Sequence, residues 1–179
     1  MGDRARDPRG SVRAAQNGSP LAIDELFRAH WAAAHRAAYL VVHDAAAAED
    51  IAQEAFVSAI RALDRFDRRR PFGPWLHRIV VNRAIDHARS RALRREVDAE
   101  RVPEPVAPAG GGSGDAFADE TIAALAELPP DQRGVIVLRH LLEYTPGEIA
   151  RMLDLPRGTV NSRLRRGLDE LSRTLGDER

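Results

Sequence analysis

Between Arg157 and Arg166 the chain carries Arg157, Thr159, Asn161, Ser162, Arg163, Arg165 and Arg166. Their guanidinium, hydroxyl and amide groups are the donors that phosphate oxygens and base edges accept. Val160, Leu164, Leu168, Leu171 and Leu175 recur at helical spacing through the same stretch, so the polar groups share the opposite face of one amphipathic helix. A basic amphipathic helix standing alone reads as a solvated surface. The residues before it change that reading. Thr145 is a good N-cap, Pro146 suits the first helical position and Glu148 completes a T-x-x-E capping box. Ile149, Ala150 and Leu153 give this shorter helix an apolar face, and Ala150 lets a second helix approach closely across the turn Asp154-Leu155-Pro156. A capped helix, a tight turn and an arginine-bearing helix form the pattern of a helix-turn-helix that enters duplex DNA.

Two further groups could bind charged partners. Arg65-Phe66-Asp67-Arg68-Arg69-Arg70-Pro71-Phe72 interleaves aromatics with arginines, a composition that suits unstacked bases, which need ring or guanidinium planes to stack on and positive charge along their backbone. In the helix that follows, Arg78, Asn82, Asp86 and Arg89 share one face. That face can hydrogen-bond base edges or form an intrahelical salt-bridge row, and spacing does not separate the two. Upstream, Glu49, Asp50, Gln53 and Glu54 lie away from an apolar face and make a small acidic patch, readable as plain solvated surface or as a dock for a basic partner.

The elements that must position these groups are all helical. One helix begins at Ser19-Pro20 and runs through Leu26, Phe27, Trp31, Ala34, Ala38 and Val41; a second starts after Asp44, with Ala48, Ile51, Ala52, Ala55, Phe56, Ala59, Ile60 and Leu63 facing inward; a third spans about 74–95. Strand signals are weak throughout. Pro103 to Gly114 reads PEPVAPAGGGSG and has no periodicity, the mark of a flexible linker. The expected organisation is all-α: a disordered tail over 1–18, a helical domain over 19–96, a flexible acidic Pro/Gly-rich linker over 97–117 and a helix-turn-helix domain over 118–179.

The balance of 27 basic and 27 acidic residues looks wrong for a nucleic-acid binder until the charges are placed. Arg61 to Arg95 holds eleven Arg against Asp64, Asp67 and Asp86, whereas Glu96 to Glu120 holds seven acidic residues against Arg101. Every basic residue is Arg, whose planar fork suits phosphate and guanine. With 179 residues, 44% of them hydrophobic, and no cysteine, the chain has ordinary globular character with neither a disulfide framework nor Cys-based zinc sites. No apolar run approaches the roughly 18 residues of a membrane span, and the amino terminus lacks a signal-peptide core. A cytoplasmic protein without membrane insertion is expected.

Four motifs in order, AEDIAQEAFVSAIRALDRF (48–66), PFGPWLHRIVVNRAIDHARSR (71–91), LPPDQRGVIVLRHL (128–141) and LPRGTVNSRLRR (155–166), resemble those of bacterial sigma factors of the extracytoplasmic-function type. The resemblance covers about residues 18–175. It implies a non-enzymatic specificity subunit of core RNA polymerase that works without a cofactor. In such a subunit Asp50, Gln53 and Glu54 would dock on the clamp of the large catalytic subunit. Phe66, Arg69, Phe72, Arg78, Asn82, Asp86 and Arg89 would open and read the minus-ten element. Arg157, Thr159, Asn161, Ser162, Arg163 and Arg166 would read the minus-thirty-five element, with the flap-bearing subunit close by. The resemblance also implies promoter DNA as ligand, an anti-sigma protein as a further partner and a linker that threads toward the active-site cleft. Four positions depart from the family pattern. Asp154 and Glu143 stand where glycine is usual, Asn161 replaces a lysine, and Gly167 replaces an alanine inside the recognition helix at a cost of about 1 kcal/mol of helix propensity.

Two other classes are set against this reading. An autonomous helix-turn-helix regulator would bind duplex DNA without polymerase. A metal hydrolase would draw on His30, His35, His77 and His87 with Asp86, but His30 and His35 are five apart, poorly placed to share a metal on one helix, and no H-E-x-x-H occurs.

Overall fold

The computed structural model describes residues 9–98 and 116–177, and side chains within 10–95 and 119–176. Their regular elements are all helical, with no strand among the described residues. In chain order the helices are α1 (Arg9–Gln16), α2 (Pro20–Val42), α3 (Ala45–Arg61), α4 (Phe72–Asp98), α5 (Ala116–Glu127), α6 (Pro130–Ile136), α7 (Pro146–Leu153) and α8 (Arg157–Asp177), with a 3-10 turn at Leu63–Arg65 and a π turn at Val137–Leu141.

Local chemistry sets the starts. The Ser19 hydroxyl accepts from Ala22 N, Asp44 Oδ1 accepts from Ala47 N at 3.0 Å, and Thr145 with Glu148 closes the capping box in both directions. α2 ends on His43, whose φ of 53° is left-handed and whose N–H returns to Tyr39 O. Asp154 ends α7 in the same conformation at φ 54°, and Glu143 enters the motif at φ 59°. The two departures from glycine thus fall on backbone where glycine would relax most easily.

The expected tail over 1–18 differs from the structure from Arg9 onward. α1 buries Val12 and Ala15 against the rest of the core, and Ser11 donates to Glu25 at 2.7 Å. α4 begins at Phe72, before the expected start near 74, and continues to Asp98. The centre of the Pro/Gly linker, 99–115, lies outside the described residues.

α2, α3 and α4 form one bundle and α5 to α8 a second, packed directly on the first. At the junction α6 approaches α4 so closely that a Cβ on Gly134 would stand 2.5 Å from Ile85 Cδ1. Inside the second bundle a Cβ on Gly167 would stand 2.6 Å from Ile136 Cδ1, so the glycine that weakens α8 as an isolated helix also lets α6 pack against it.

Arg133 ties the two bundles together. Its guanidinium is buried and donates to Val41 O at the end of α2, to Ala126 O at 2.6 Å and to Leu128 O at 2.7 Å. Burial lowers its pKa to about 10, which leaves it charged near neutrality. Beside it His43 Nε2–H donates to Ile122 O at 3.1 Å, because a carbonyl can only accept, and Nδ1 then accepts from Arg133 at 3.3 Å. Burial first, and the Arg133 charge second, hold His43 at about 4. His77 Nδ1 and the Tyr144 hydroxyl form a second bond across the junction at 2.7 Å. Burial, helped by nearby His30, lowers His77 to about 4 as well.

Candidate polymerase and nucleic-acid interfaces

The acidic face stands on α3, where Ala48, Ile51, Ala52, Ala55, Phe56 and Ala59 are buried and Glu49, Asp50, Gln53 and Glu54 are exposed. Gln53 donates to Glu49 at 3.1 Å along the helix. Glu54 is engaged by α4, with Arg83 donating to its carboxylate at 2.7 Å and to Ser58 Oγ at 2.8 Å. Asp50 and Glu54 border a cavity of about 540 Å³ that also meets Asp44, His87, Arg91 and Arg94. The Asp44 carboxyl is held below its ordinary range, first by the Ala47 N–H it caps and then by Arg91 at 3.0 Å. This face therefore offers acid at its outer edge and arginine at its inner one.

The basic-aromatic loop is built differently from what the interleaving of ring and charge suggests. Phe72 is only 1% exposed, packed beside His30, Phe66 and Trp75. It is the first core residue of α4, and its side chain is not presented for stacking on a base. Phe66 is 8% exposed, with its ring 4.6 Å from that of Trp75. The spacing of Phe72 and Leu76 on the stripe that continues through Val80 carries the signal for burial, which the neighbouring arginines outweighed in the sequence reading. Asp64, Asp67, Arg68 and Arg69 are exposed and, with Phe66, border a cavity of about 570 Å³. Asp67 Oδ1 accepts from Arg69 N at 3.0 Å and fixes the turn. Gln16 of α1 completes the cavity wall, and no local pattern pointed to it.

On α4 the structure brings Arg78, Asn82, Asp86 and Arg89 onto one polar edge, with Asn82 half-buried and the others exposed. Arg89 reaches Asp86 at 3.5 Å and Asp131, at the start of α6, at 2.5 Å. Asp131 also accepts from Arg163 of α8 at 3.2 Å. One carboxylate thus joins the polar edge of α4 to that of α8. Sequence reasoning missed Asp131, whose partners lie 42 and 32 residues away along the chain.

On α8 Val160 and Leu164 are buried with Ile149 and Ala150 of α7 beneath them, as the motif requires. Arg157, Asn161 and Arg166 are exposed, Thr159 and Arg163 are half-buried, and half-buried Ser162 donates to Thr159 O at 3.0 Å. Leu168 is 39% exposed and Leu171 half-buried, so the apolar stripe becomes less buried beyond Leu164.

His30 and His77 are buried 6.4 Å apart in edge-to-face contact, and His35 stacks on Trp31. Among the described residues no helix is long and apolar enough to cross a membrane.

Comparison with known proteins places this architecture. The family profile described as Sigma-70 region 2 matches residues 26–94, and that described as Sigma-70, region 4 matches 118–171. The chain is 36% identical over 159 residues to the ECF RNA polymerase sigma factor SigM of Mycobacterium tuberculosis, covering 89% of this chain and 80% of the relative. It is 35% identical over 148 residues to the ECF RNA polymerase sigma factor SigW of Bacillus subtilis, covering 76% and 78%. Among solved structures it resembles CnrH, determined in complex with the cytosolic domain of CnrY, at a TM-score of 0.70 and 29% identity over 97% of this chain and 99% of that one. The sigma factor RpoE of Bartonella quintana, solved with the anti-sigma factor NepR, shares the fold at a TM-score of 0.71 and 23% identity over 87% and 98%.

Proposed function

Because the chain belongs to the extracytoplasmic-function sigma factors of the sigma-70 family, whose work is promoter recognition with RNA polymerase, we propose how its own surfaces divide that work. Asp50 and Gln53, with Glu54 behind them, dock on the polymerase clamp. Phe66, Arg69 and the α4 edge of Arg78, Asn82, Asp86 and Arg89 open and read the minus-ten element. Arg157, Thr159, Asn161, Ser162, Arg163 and Arg166 read the minus-thirty-five element from the major groove. The chain contributes binding energy in the cytoplasm and leaves chemistry to the polymerase. Flipping a base costs a few kcal/mol, and with the Phe66 and Phe72 rings buried it is the exposed guanidinium planes of the loop, Arg69 among them, that a flipped base would stack on.

The observation that carries this reading is the separation of charge by element: exposed acid on α3, exposed arginine on the loop before α4, along the α4 edge and on α8. On a lone DNA-binding regulator the first would be no more than solvated surface. The compact arrangement adds a constraint. Elements centred about 25 base pairs apart lie roughly 80 Å apart along duplex DNA, whereas Arg89 and Arg163 here share a single carboxylate. The two bundles must separate before both elements are read, so the compact form is the inactive one. It is also the form that an anti-sigma protein would hold, as the partner that the relatives' complexes suggest.

Co-elution with core RNA polymerase on size exclusion, beside a variant with Asp50, Gln53 and Glu54 all replaced by alanine, tests the assignment. Association lost in the variant supports both the subunit role and the dock. No association, with duplex binding by the chain alone, would establish the autonomous regulator instead.

A further inference from the structure

We propose that Gln16, at the end of α1, is a positioning residue for promoter opening that holds the base-capturing loop in shape before DNA arrives. This rests on the promoter-opening role of that loop. Gln16 Nε2 donates to Leu63 O and to Phe66 O, each at 2.9 Å, across 47 and 50 residues of chain. Both amide hydrogens are thereby used on the two ends of one short segment, the 3-10 turn and the residue that follows it. Within that segment Arg65 N bonds Ala62 O at 3.1 Å and Phe66 N bonds Leu63 O at 2.9 Å, so Gln16 supplies the clamp from outside.

The anchor under the clamp is firm. Val12 and Ala15 of α1 are buried, Leu63 is 2% exposed, and Ser11 fastens α1 to Glu25 of α2. Beyond Phe66 the chain carries Asp67, Arg68, Arg69 and Arg70, all exposed. The cavity of about 570 Å³ that Asp67, Arg68 and Arg69 border includes Gln16 itself. A loop that must receive an unstacked base gains affinity when its ordering cost is met in advance. Gln16 does that at the point where the buried turn becomes the exposed loop. Its effect falls on strand opening and leaves duplex recognition by α8 untouched.

The test uses holoenzyme reconstituted with the full chain as wild type, Gln16→Leu, which keeps bulk but removes both donors, and Gln16→Ala. Promoter duplexes are those selected from a randomised pool by the wild-type holoenzyme. Closed-complex affinity is measured at low temperature and opening by permanganate reactivity of unpaired thymines. Loss of two net hydrogen bonds predicts opening reduced about tenfold or more in both variants. Closed-complex affinity and polymerase association should stay close to wild type, and the thermal midpoint of the free chain should fall by only a few degrees, as the loss of two bonds requires. Unchanged opening overturns the proposal, as does a parallel loss of opening, polymerase binding and thermal midpoint, which would mark a merely structural role. A wild-type holoenzyme that opened no duplex would overturn the loop's role as well, an outcome distinct from either.

Discussion

Replacing Asp131 with alanine should loosen the compact form without unfolding either bundle. Asp131 accepts Arg89 in a forked contact, Nη2 at 2.5 Å and Nε at 3.3 Å, and Arg163 at 3.2 Å. The side chains are 51%, 24% and 30% exposed for Arg89, Arg163 and Asp131, so solvent screens these pairs and full Coulomb energies do not apply. Exposed pairs contribute about 0.2–1 kcal/mol each, with forked geometry at the upper end. Of the two, only the Arg89 pair crosses between bundles, while the Arg163 pair orients the carboxylate. The junction therefore loses about 1 kcal/mol, roughly a fivefold fall in the closed-to-open ratio. The absence of cysteine allows paired dyes to be attached at Leu93→Cys on α4 and Asp169→Cys on α8, both exposed positions. Energy transfer is followed through a urea titration, and the concentration at which it is half lost reports the ratio even where the closed form dominates. That concentration should be lower in Asp131→Ala. Raising salt to 1 M, where the screening length is about 3 Å, should lower it in the parent and change the variant less. An identical midpoint, or equal salt sensitivity in both, would refute the role given to this carboxylate.

Two other perturbations follow from the junction. His43 and His77 both titrate near 4 against an ordinary 6.5, so the unfolded chain binds more protons between those values and stability must fall as pH drops from 6.5 toward 4. For the more deeply buried His77 the loss reaches about 3 kcal/mol at the lower limit, and urea unfolding at pH 7.5 and pH 4.5 should show it shrink in His77→Asn. Gly134→Ala pushes a Cβ against Ile85 at 2.5 and 2.8 Å; overpacking of about 1–3 kcal/mol outweighs the helix propensity gained, so the thermal midpoint should fall, and Gly134→Ala combined with Ile85→Val should recover part of it.

What the sequence made legible was what is local. Ser19, Asp44 and Thr145 announce their helices because a cap and its N–H partner lie within three residues of each other. The turn at Asp154 and the start of α8 at Arg157 follow from Pro156 and the switch in apolar phase. The polar edge of α4 was legible from spacing, and so was the acidic face of α3. What stayed hidden depends on distant partners. α1 looks like a polar tail until α2 and the turn at Leu63 cover Val12 and Ala15. Phe72 looks like a stacking platform beside three arginines until His30 and Trp75 enclose it. Arg133 and Asp131 carry no local signal of their role across the junction, and only the approach of α6 to α2 and α4 gives them the Val41 carbonyl and Arg89 to serve.

Arg133 also bears on protein engineering. The carbonyl of Val41 closes α2 in the amino-terminal half, and the cation that satisfies it belongs to the carboxy-terminal half. A chimera that joins this amino-terminal half to the carboxy-terminal half of another sigma factor, made to redirect promoter choice, inherits that carbonyl without its donor unless the graft keeps an arginine at the same place. Such hybrids should rest in the open form and act without restraint, so the seam between interchangeable parts belongs between α6 and α7, which keeps Arg133 with the half whose carbonyl it satisfies.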